Sequence, residues 1–488
     1  MRIKNFSEIK SFFLDNKGLR QTILKNTFWL TISEVISKGI SFFLLIWIAG
    51  YFGPNNYGKI AFSLSFVAIF AFFIDFGFTS IAIREISRDK SKSSKYIENI
   101  LAIELILGLV TFGFIFISTY FLGKGPEVSK LIYLFGISTI LDCFTLFFQS
   151  VFCANEKMEY VAVSRFIQGI SLLGLIVFLI IHKSSIIVLG YAFIVASIIS
   201  AVSTLFITRS FFSKFFPKIN FDICKEIIKE AWPVGLINFA ALMFQSFGSV
   251  LLGFFRSNRE VGLYSAASRI TLGTYFLSTI LFSAFIPSIS RAFKENYHTL
   301  KNIIEKYALL NFCIGIPIGI GGFIIAPQLI RFLYGDQYLG SIIPFQILSL
   351  NLIFIFMVAF YGQTLIFFDK QKRFLKSYVV GLIVNIILNI LLIPKFGVIG
   401  AAITALATQC IILGIVFSEF RKIIKFNLKN IFLSSLMSSI LMVLFIVFVN
   451  KLGLNNTIFS IILGACVYFL ILCSIFWVVK RCQKNVMK

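Results

Sequence analysis

Long apolar runs alternate with short polar connections along this whole chain, and positive charge gathers on every second connection. Fourteen runs can be marked, at 26–50, 60–82, 97–122, 131–153, 159–181, 186–208, 231–255, 260–287, 307–328, 342–366, 375–393, 398–418, 431–450 and 457–479. A helix rises ~1.5 Å per residue, so about 20 apolar residues cross a ~30 Å hydrocarbon layer. With the N-terminus placed in the cytoplasm, 33 of the 45 Lys and Arg fall on inner segments and 9 on outer connections. Three lie within runs: Lys38, Arg165 and Arg269. Such an excess on one side orients a membrane chain, positive side inward. The pattern predicts an all-α polytopic protein of the bacterial inner membrane, with about 14 transmembrane helices and both termini cytoplasmic.

Composition narrows the function. A mean hydropathy of +0.93 with 58% hydrophobic residues excludes an ordinary soluble domain. The net charge of +24 would suit nucleic acid if it formed one stripe. It is spread over eight inner segments instead, which fits orientation against anionic lipid and no nucleic-acid partner. The basic, mixed start MRIKNFSEIKSFFLDNKGLR does not read as a cleavable signal. Ile3, Phe6, Ile9, Phe12 and Phe13 fall roughly on one helical face there, which suits the inner leaflet. The eight cysteines form no CxxC pair, and the two histidines, His182 and His298, stand at run ends, so no metal or other cofactor is expected. No connection exceeds about 25 residues, which leaves no room for a soluble catalytic domain. A membrane glycosyltransferase or polymerase, with a substantial outer loop, is disfavoured on that ground.

The two halves run in step. Trp29, Gly58 and Ile86-Ser87-Arg88 have counterparts in Trp232, Gly262 and Ile289-Ser290-Arg291, and VLGYAFIVAS from 188 matches VIGAAITALA from 398. Preserved order at a nearly constant offset indicates an internal repeat of six runs. An even number of spans gives both halves the same orientation. The expected organisation is an N-terminal lobe over 1–215, a C-terminal lobe over 216–418, and two added helices in 419–488. The lobes should be pseudo-symmetric about the membrane normal and enclose a central cavity.

Charges inside such runs cost roughly 2.5–3.5 kcal/mol each at mid-bilayer and need a reason. Glu34 and Lys38 are four apart and can neutralise each other or face a cavity. Arg165 lies about two turns from the inner surface, where it could snorkel or bind substrate. Asp142 is central in run 4, with Gln149 on its face. Asp75 is too deep in run 2 for a helix cap, while Glu104 in run 3 has no assigned role. Arg269 lies nine residues past the start of run 8, or ~13 Å deep, with no acid within four positions, and is the first candidate to line a cavity. Lys59, at the outer end of run 2, could join it or anchor at the interface. Run 9 reads CIGIPIGIGG, so Gly315, Pro317 and Gly319 are hinge candidates or close-packing residues.

The stretch VGLIVNIILNILLIPKFGVIGAAITALATQ (380–409) resembles polysaccharide-export flippases of the multidrug/oligosaccharidyl-lipid/polysaccharide superfamily. In it Asn385 and Asn389 share a face, Pro394 and Gly397 turn the chain, and Gly400-Ala401-Ala402 permits close helix approach. NTFWLTISEVISKGISFFLLIWIAGYFGPNNYGKIAFS and EVGLYSAASRI, which includes Arg269, resemble the same family, so the similarity spans about 400 residues. The resemblance implies that polyprenyl-diphosphate-linked oligosaccharides cross from the inner to the outer leaflet by alternating access, with membrane lipids around the protein. Other polysaccharide assembly proteins, such as a polymerase, would be its partners. Related lipid II flippases use bases on helices 1, 2 and 8, which points to Lys38, Lys59 and Arg269, with Arg165 added as a fourth base. Coupling to H+ or Na+ is common in the superfamily and would need buried acids such as Glu34, Asp75 or Asp142. A lipid II flippase or a multidrug exporter of the same superfamily remains the alternative.

Overall fold

The computed structural model describes residues 18–211, 216–295, 297–368, 370–423, 429–451, 459, 461–472 and 474. The amphipathic reading of residues 3–13 lies outside them. Among the described residues there are helices and no strand. The long ones are α1 Leu19–Asp75, α2 Phe78–Arg88, α3 Ser93–Leu122, α4 Pro126–Ala154, α5 Met158–Ile181 and α6 Ile186–Phe211. They continue with α7 Phe221–Phe255, α8 Asn258–Glu295, α9 Tyr297–Tyr334, α10 Ile342–Phe367, α11 Gln371–Ile423 and α12 Lys429–Lys451.

Eleven helices are long and apolar enough to cross a membrane, so the expected count of fourteen is not reached among the described residues. The difference has physical causes. Runs 1 and 2 are fused in α1, whose 57 residues would extend ~85 Å if straight. They cannot run straight through one bilayer. Gly53 breaks the helix with φ 71° and ψ 169°, and Pro54, which lacks an N–H, opens the next arm. Runs 11 and 12 are fused in the 53-residue α11, broken at Gly397 (φ 54°, ψ −128°) shortly after Pro394, as the motif implied. Run 14 is described only as the shorter helix Ile461–Leu472.

Side chains are distributed inside out relative to a water-soluble bundle. On α3, Glu104, Gly108, Thr111, Ile115 and Thr119 face inward, while Leu109, Tyr120 and Phe121 are 77%, 78% and 80% exposed. A helix with apolar residues outward and small or polar ones inward is solvated by lipid, where close approach and hydrogen bonding hold helices together.

The described residues form two compact units, 18–52 with 59–250 and 53–58 with 251 onward. In the first, Phe78, Ile81 and Ile86 of α2 pack with Ile97, Ile100 and Ile103 of α3, Phe147 and Val151 of α4, and Ile227 and Ala231 of α7. The Asn99 carbonyl accepts the Asn220 N–H at 2.8 Å and pins the start of α7 to α3. In the second, Asn389 donates to the Asn385 carbonyl at 2.9 Å and Asn385 to Thr408 at 3.3 Å. The amide pair read from the sequence therefore ties together the two arms of α11. Ala401 and Ala402 are buried, and a Cβ on Gly400 would sit 2.5 Å from the Leu392 carbonyl. Arg256 closes the same turn by donating to the Pro394 carbonyl at 2.7 Å and the Ile393 carbonyl at 3.3 Å.

The glycines that the repeat equates, Gly58 and Gly262, meet each other. A Cβ on Gly58 would collide with the Asn258 carbonyl and approach Gly262 N, and one on Gly262 would collide with the Pro54 carbonyl and approach Gly58 N. Each turn thus needs its glycine because the other turn lies against it.

Candidate functional site

In the first unit the sequence candidates converge on one polar cluster. Glu34 on α1 binds Lys38 at 3.1 Å through one carboxylate oxygen and the Arg165 guanidinium of α5 through the other. Arg165 therefore reaches across to α1 rather than snorkelling to the inner surface. It also donates to the Gln149 carbonyl at 3.4 Å, and Gln149 donates to Ser164 Oγ at 3.0 Å, which pairs with Thr204 at 2.6 Å. The three charges leave a surplus of one positive, and the Lys38 side chain is 55% exposed. Mutual neutralisation of Glu34 and Lys38 is therefore only part of the arrangement.

Beside this cluster lies a polar cavity of about 220 Å³ lined by Ser37, Ser41, Asp142, Arg165, Gln168 and Ser197, among others. Asp142 Oδ1 accepts from Gln168 Nε2 and Ser197 Oγ, both at 2.8 Å, and Ser197 also pairs with Ser138 at 2.8 Å. Four helices, α1, α4, α5 and α6, thus contribute polar groups to one chamber. Asp142 and Arg165 both line it, and Arg165 links it to Glu34 and, through Glu34, to Lys38.

In the second unit Arg269 on α8 is half-buried among tyrosines. Its guanidinium donates to the hydroxyl of Tyr57, which stands in the glycine-bounded turn before Lys59, and it lies near Tyr334. Tyr334 donates to the Ala266 carbonyl at 3.1 Å, and its ring is 5.1 Å from that of Tyr338, which is 6.5 Å from Tyr57. No carboxylate of the described residues forms an ion pair with Arg269. Asp75 and Asp142, the acids that might have neutralised it, have donors of their own. A guanidinium held only by neutral oxygens keeps its positive charge available to an anion.

Other candidates are engaged elsewhere. Lys59 is paired with Glu127 of α4 at 2.5 Å. Asp75 does serve as a cap, because the helix breaks immediately after it: Phe76 and Gly77 are both left-handed (φ 44° and 89°). Its carboxylate accepts the Gly77 N–H at 3.4 Å, the Thr79 N–H at 3.1 Å and the Thr79 hydroxyl. A Cβ on Gly315 would lie 2.6 Å from Phe356, and one on Gly319 2.5 Å from Ile353, so these glycines let α10 approach α9. Helix α9 continues without a break through Pro317, which lines an apolar cavity of about 350 Å³ with Ile314, Ile318, Leu352, Met442 and Phe469.

Two residues escaped the sequence reading, and a third was noted there without a role. Lys25, counted among the inner-side charges, is fully buried and pairs with Glu159 at 3.1 Å. Tyr57 carries no charge to mark it. Glu104 is completely buried, and neither carboxylate oxygen has a hydrogen-bond partner. Among the described residues no group of His, Cys, Asp and Glu could hold a metal ion.

A bundle of broken, lipid-solvated helices with intramembrane charges is the architecture of multi-pass membrane carriers. The chain's backbone matches a lipid II flippase, MurJ, in an inward closed conformation, with TM-score 0.75 and 18% identity over 94% of this chain and 99% of that one. A multidrug resistance MATE family transporter of the MOP superfamily matches with TM-score 0.63 and 16% identity, over 81% and 97%. By sequence it is 25% identical to the capsular polysaccharide biosynthesis protein CapF of Staphylococcus aureus, over 80% of this chain and 97% of that one. It is 21% identical to a putative O-antigen transporter of Escherichia coli, over 80% and 95%. The polysaccharide biosynthesis protein family model matches residues 23–293, and the chain belongs to that family.

Proposed function

We propose that the protein is a flippase for polyprenyl-diphosphate-linked oligosaccharides, carrying them from the cytoplasmic to the outer leaflet of a bacterial inner membrane. Arg269, which has no acid against it, carries this reading. A diphosphate headgroup must leave its hydration behind, and a guanidinium free of carboxylate partners offers charge and a bidentate fork in exchange. Lys38, whose side chain is 55% exposed beside the chamber, supports the same anionic cargo. The apolar cavity beside Pro317 offers a surface suited to an isoprenoid chain. An exporter of cationic drugs would be served better by the opposite sign of charge. Alternating access by the two lobes, ion coupling through the buried acids, and work alongside a polymerase complete the proposal.

The test uses purified full-length protein in sealed vesicles with fluorescent polyprenyl lipids. Carriers with a diphosphate-linked oligosaccharide should change leaflet, whereas a neutral-headgroup analogue of the same chain length should not. Equal transfer of both would remove the anionic-cargo reading. Transfer of lipid II in place of the oligosaccharide lipid would assign the protein to the lipid II flippases.

A further inference from the structure

Among the described residues, Glu104 is the one acid buried with neither an ion pair nor a hydrogen bond. Both carboxylate oxygens are buried without a donor, and the residue is 0% exposed. An ionised carboxylate in that state would cost far more than its contacts return, whereas a neutral carboxyl is tolerable. The surroundings seal it. One turn further along α3, Gly108 brings Ile140 and Phe144 of α4 into close contact.

The acid that acts on Glu104 is Asp75, at the junction of α1 and α2. Neighbouring acids compete for hydrogen-bond donors, and the one left without any is the harder to ionise. All the donors here belong to Asp75, which accepts from Gly77 and twice from Thr79. The donorless Glu104 is therefore the carboxyl that carries a proton. From α4 the titratable group facing Glu104 is the buried thiol of Cys143. Those of α2 and α7, namely Arg84, Glu85, Glu226 and Glu230, gather around Tyr96, about two turns back on α3.

The wall beside Asp75 is a strained break in the backbone. Phe76 and Gly77 are consecutive left-handed residues, a costly conformation for phenylalanine that persists only under outside constraint. The constraint is α7. A Cβ on Gly77 would lie 2.7 Å from the Ala231 carbonyl, and one on Gly235 2.6 Å from the Phe76 carbonyl, on either side of Pro233. A shift of α7 would release the break and open the site to water.

We propose that Glu104 is a proton-binding site, loaded in this conformation and able to release its proton only when the Phe76–Gly77 break parts from α7. Proton coupling through Glu104 rests on the transport reading; its proton content does not.

Infrared difference spectroscopy on the full-length protein in lipid discs at neutral pH separates the two. Wild type minus Glu104→Gln should show a protonated-carboxyl band that moves in D2O, and Arg269→Ala should retain that band. Absence of the band from wild type at neutral pH would overturn the proposal. If Glu104→Gln fails to accumulate, Glu104→Met gives the same comparison without a titratable group. In vesicles, an imposed pH gradient should drive wild-type transport and should have lost its effect on the Gln variant. Gradient-driven transport by that variant at the wild-type rate would overturn the coupling role. A wild-type protein that carries the band but moves no glycan lipid would end the transport reading and leave the proton site standing.

Discussion

Arg269 and Lys25 show what single residues contribute and what one-dimensional reading can reach. Arg269 was legible because depth along a helix and absence of a local acid are both counted in sequence. Its partner was not legible, since Tyr57 is uncharged and more than two hundred positions away. Arg269→Ala should abolish glycan display while protein levels stay near normal, because no buried acid is stranded by the change. Arg269→Lys should keep part of the activity, since charge survives and the planar fork is lost. Removing the Tyr57 hydroxyl takes away a hydrogen bond to a charged group, worth about 1.5–3 kcal/mol. Display by Tyr57→Phe should therefore fall about tenfold or more, measured against protein amount in the membrane. A collapse of protein level in Arg269→Ala would instead show that its role is to hold the fold. Lys25 behaves in the opposite way. Lys25→Met strands Glu159 and should lower folded protein by about 3–5 kcal/mol of stability. The double variant Lys25→Met/Glu159→Gln should recover most of that loss in a thermal unfolding assay. Sequence reading placed Lys25 with the surface charges because a membrane-facing loop and a buried helix end look alike in one dimension.

At the scale of elements, the turns were readable wherever glycine and proline mark them. Gly58 and Gly262 stood out through the repeat, and Asn385, Asn389, Pro394, Gly397 and Gly400 through the motif. In the structure all of them make close approaches, turns or amide pairs. The break after Asp75 was not readable, because a left-handed phenylalanine is disfavoured locally and is imposed by packing against α7. Missing it, the sequence reading judged Asp75 too deep to be a cap. The glycines of α9, read from the sequence as hinge candidates or close-packing residues, lie in an unbroken helix with α10 laid against them. The Gly58–Gly262 crossing gives a sharp test. Gly58→Ala places a methyl against a backbone carbonyl that cannot turn aside, an overpacking cost of at least about 1–3 kcal/mol. Gly39→Ala, with nothing within 4 Å of the new Cβ, should be silent. Equal yields of the two variants from membranes would mean that the crossing opens at little cost.

For the whole molecule, class and membrane character followed from the spacing of charge and apolar runs, while the count of helices did not. Hydropathy sees a connection only if it is polar, so the tight turns at Gly53 and Gly397 leave no interruption in the helical assignment on either side. Orientation is the property left for experiment, and the 33 to 9 division of Lys and Arg makes a definite forecast. A reporter active only in the cytoplasm should work when fused after Lys488. The same reporter inserted after Gly123, where α3 gives way to α4, should be silent, and a periplasmic reporter should work there. The repeat adds a second requirement: residues 26–208 and 231–418 should superpose as like-oriented units. The two requirements depend on each other. Six spans per unit place Trp29 and Trp232 on the same membrane face only if the number of crossings between them is even. A periplasmic signal from the C-terminal fusion, together with a cytoplasmic one at the N-terminus, would make the total odd. That outcome would confine the error to the last helices if cysteines placed at Trp29 and Trp232 are both labelled from the inner side. Labelling from opposite sides would instead remove the parallel repeat itself.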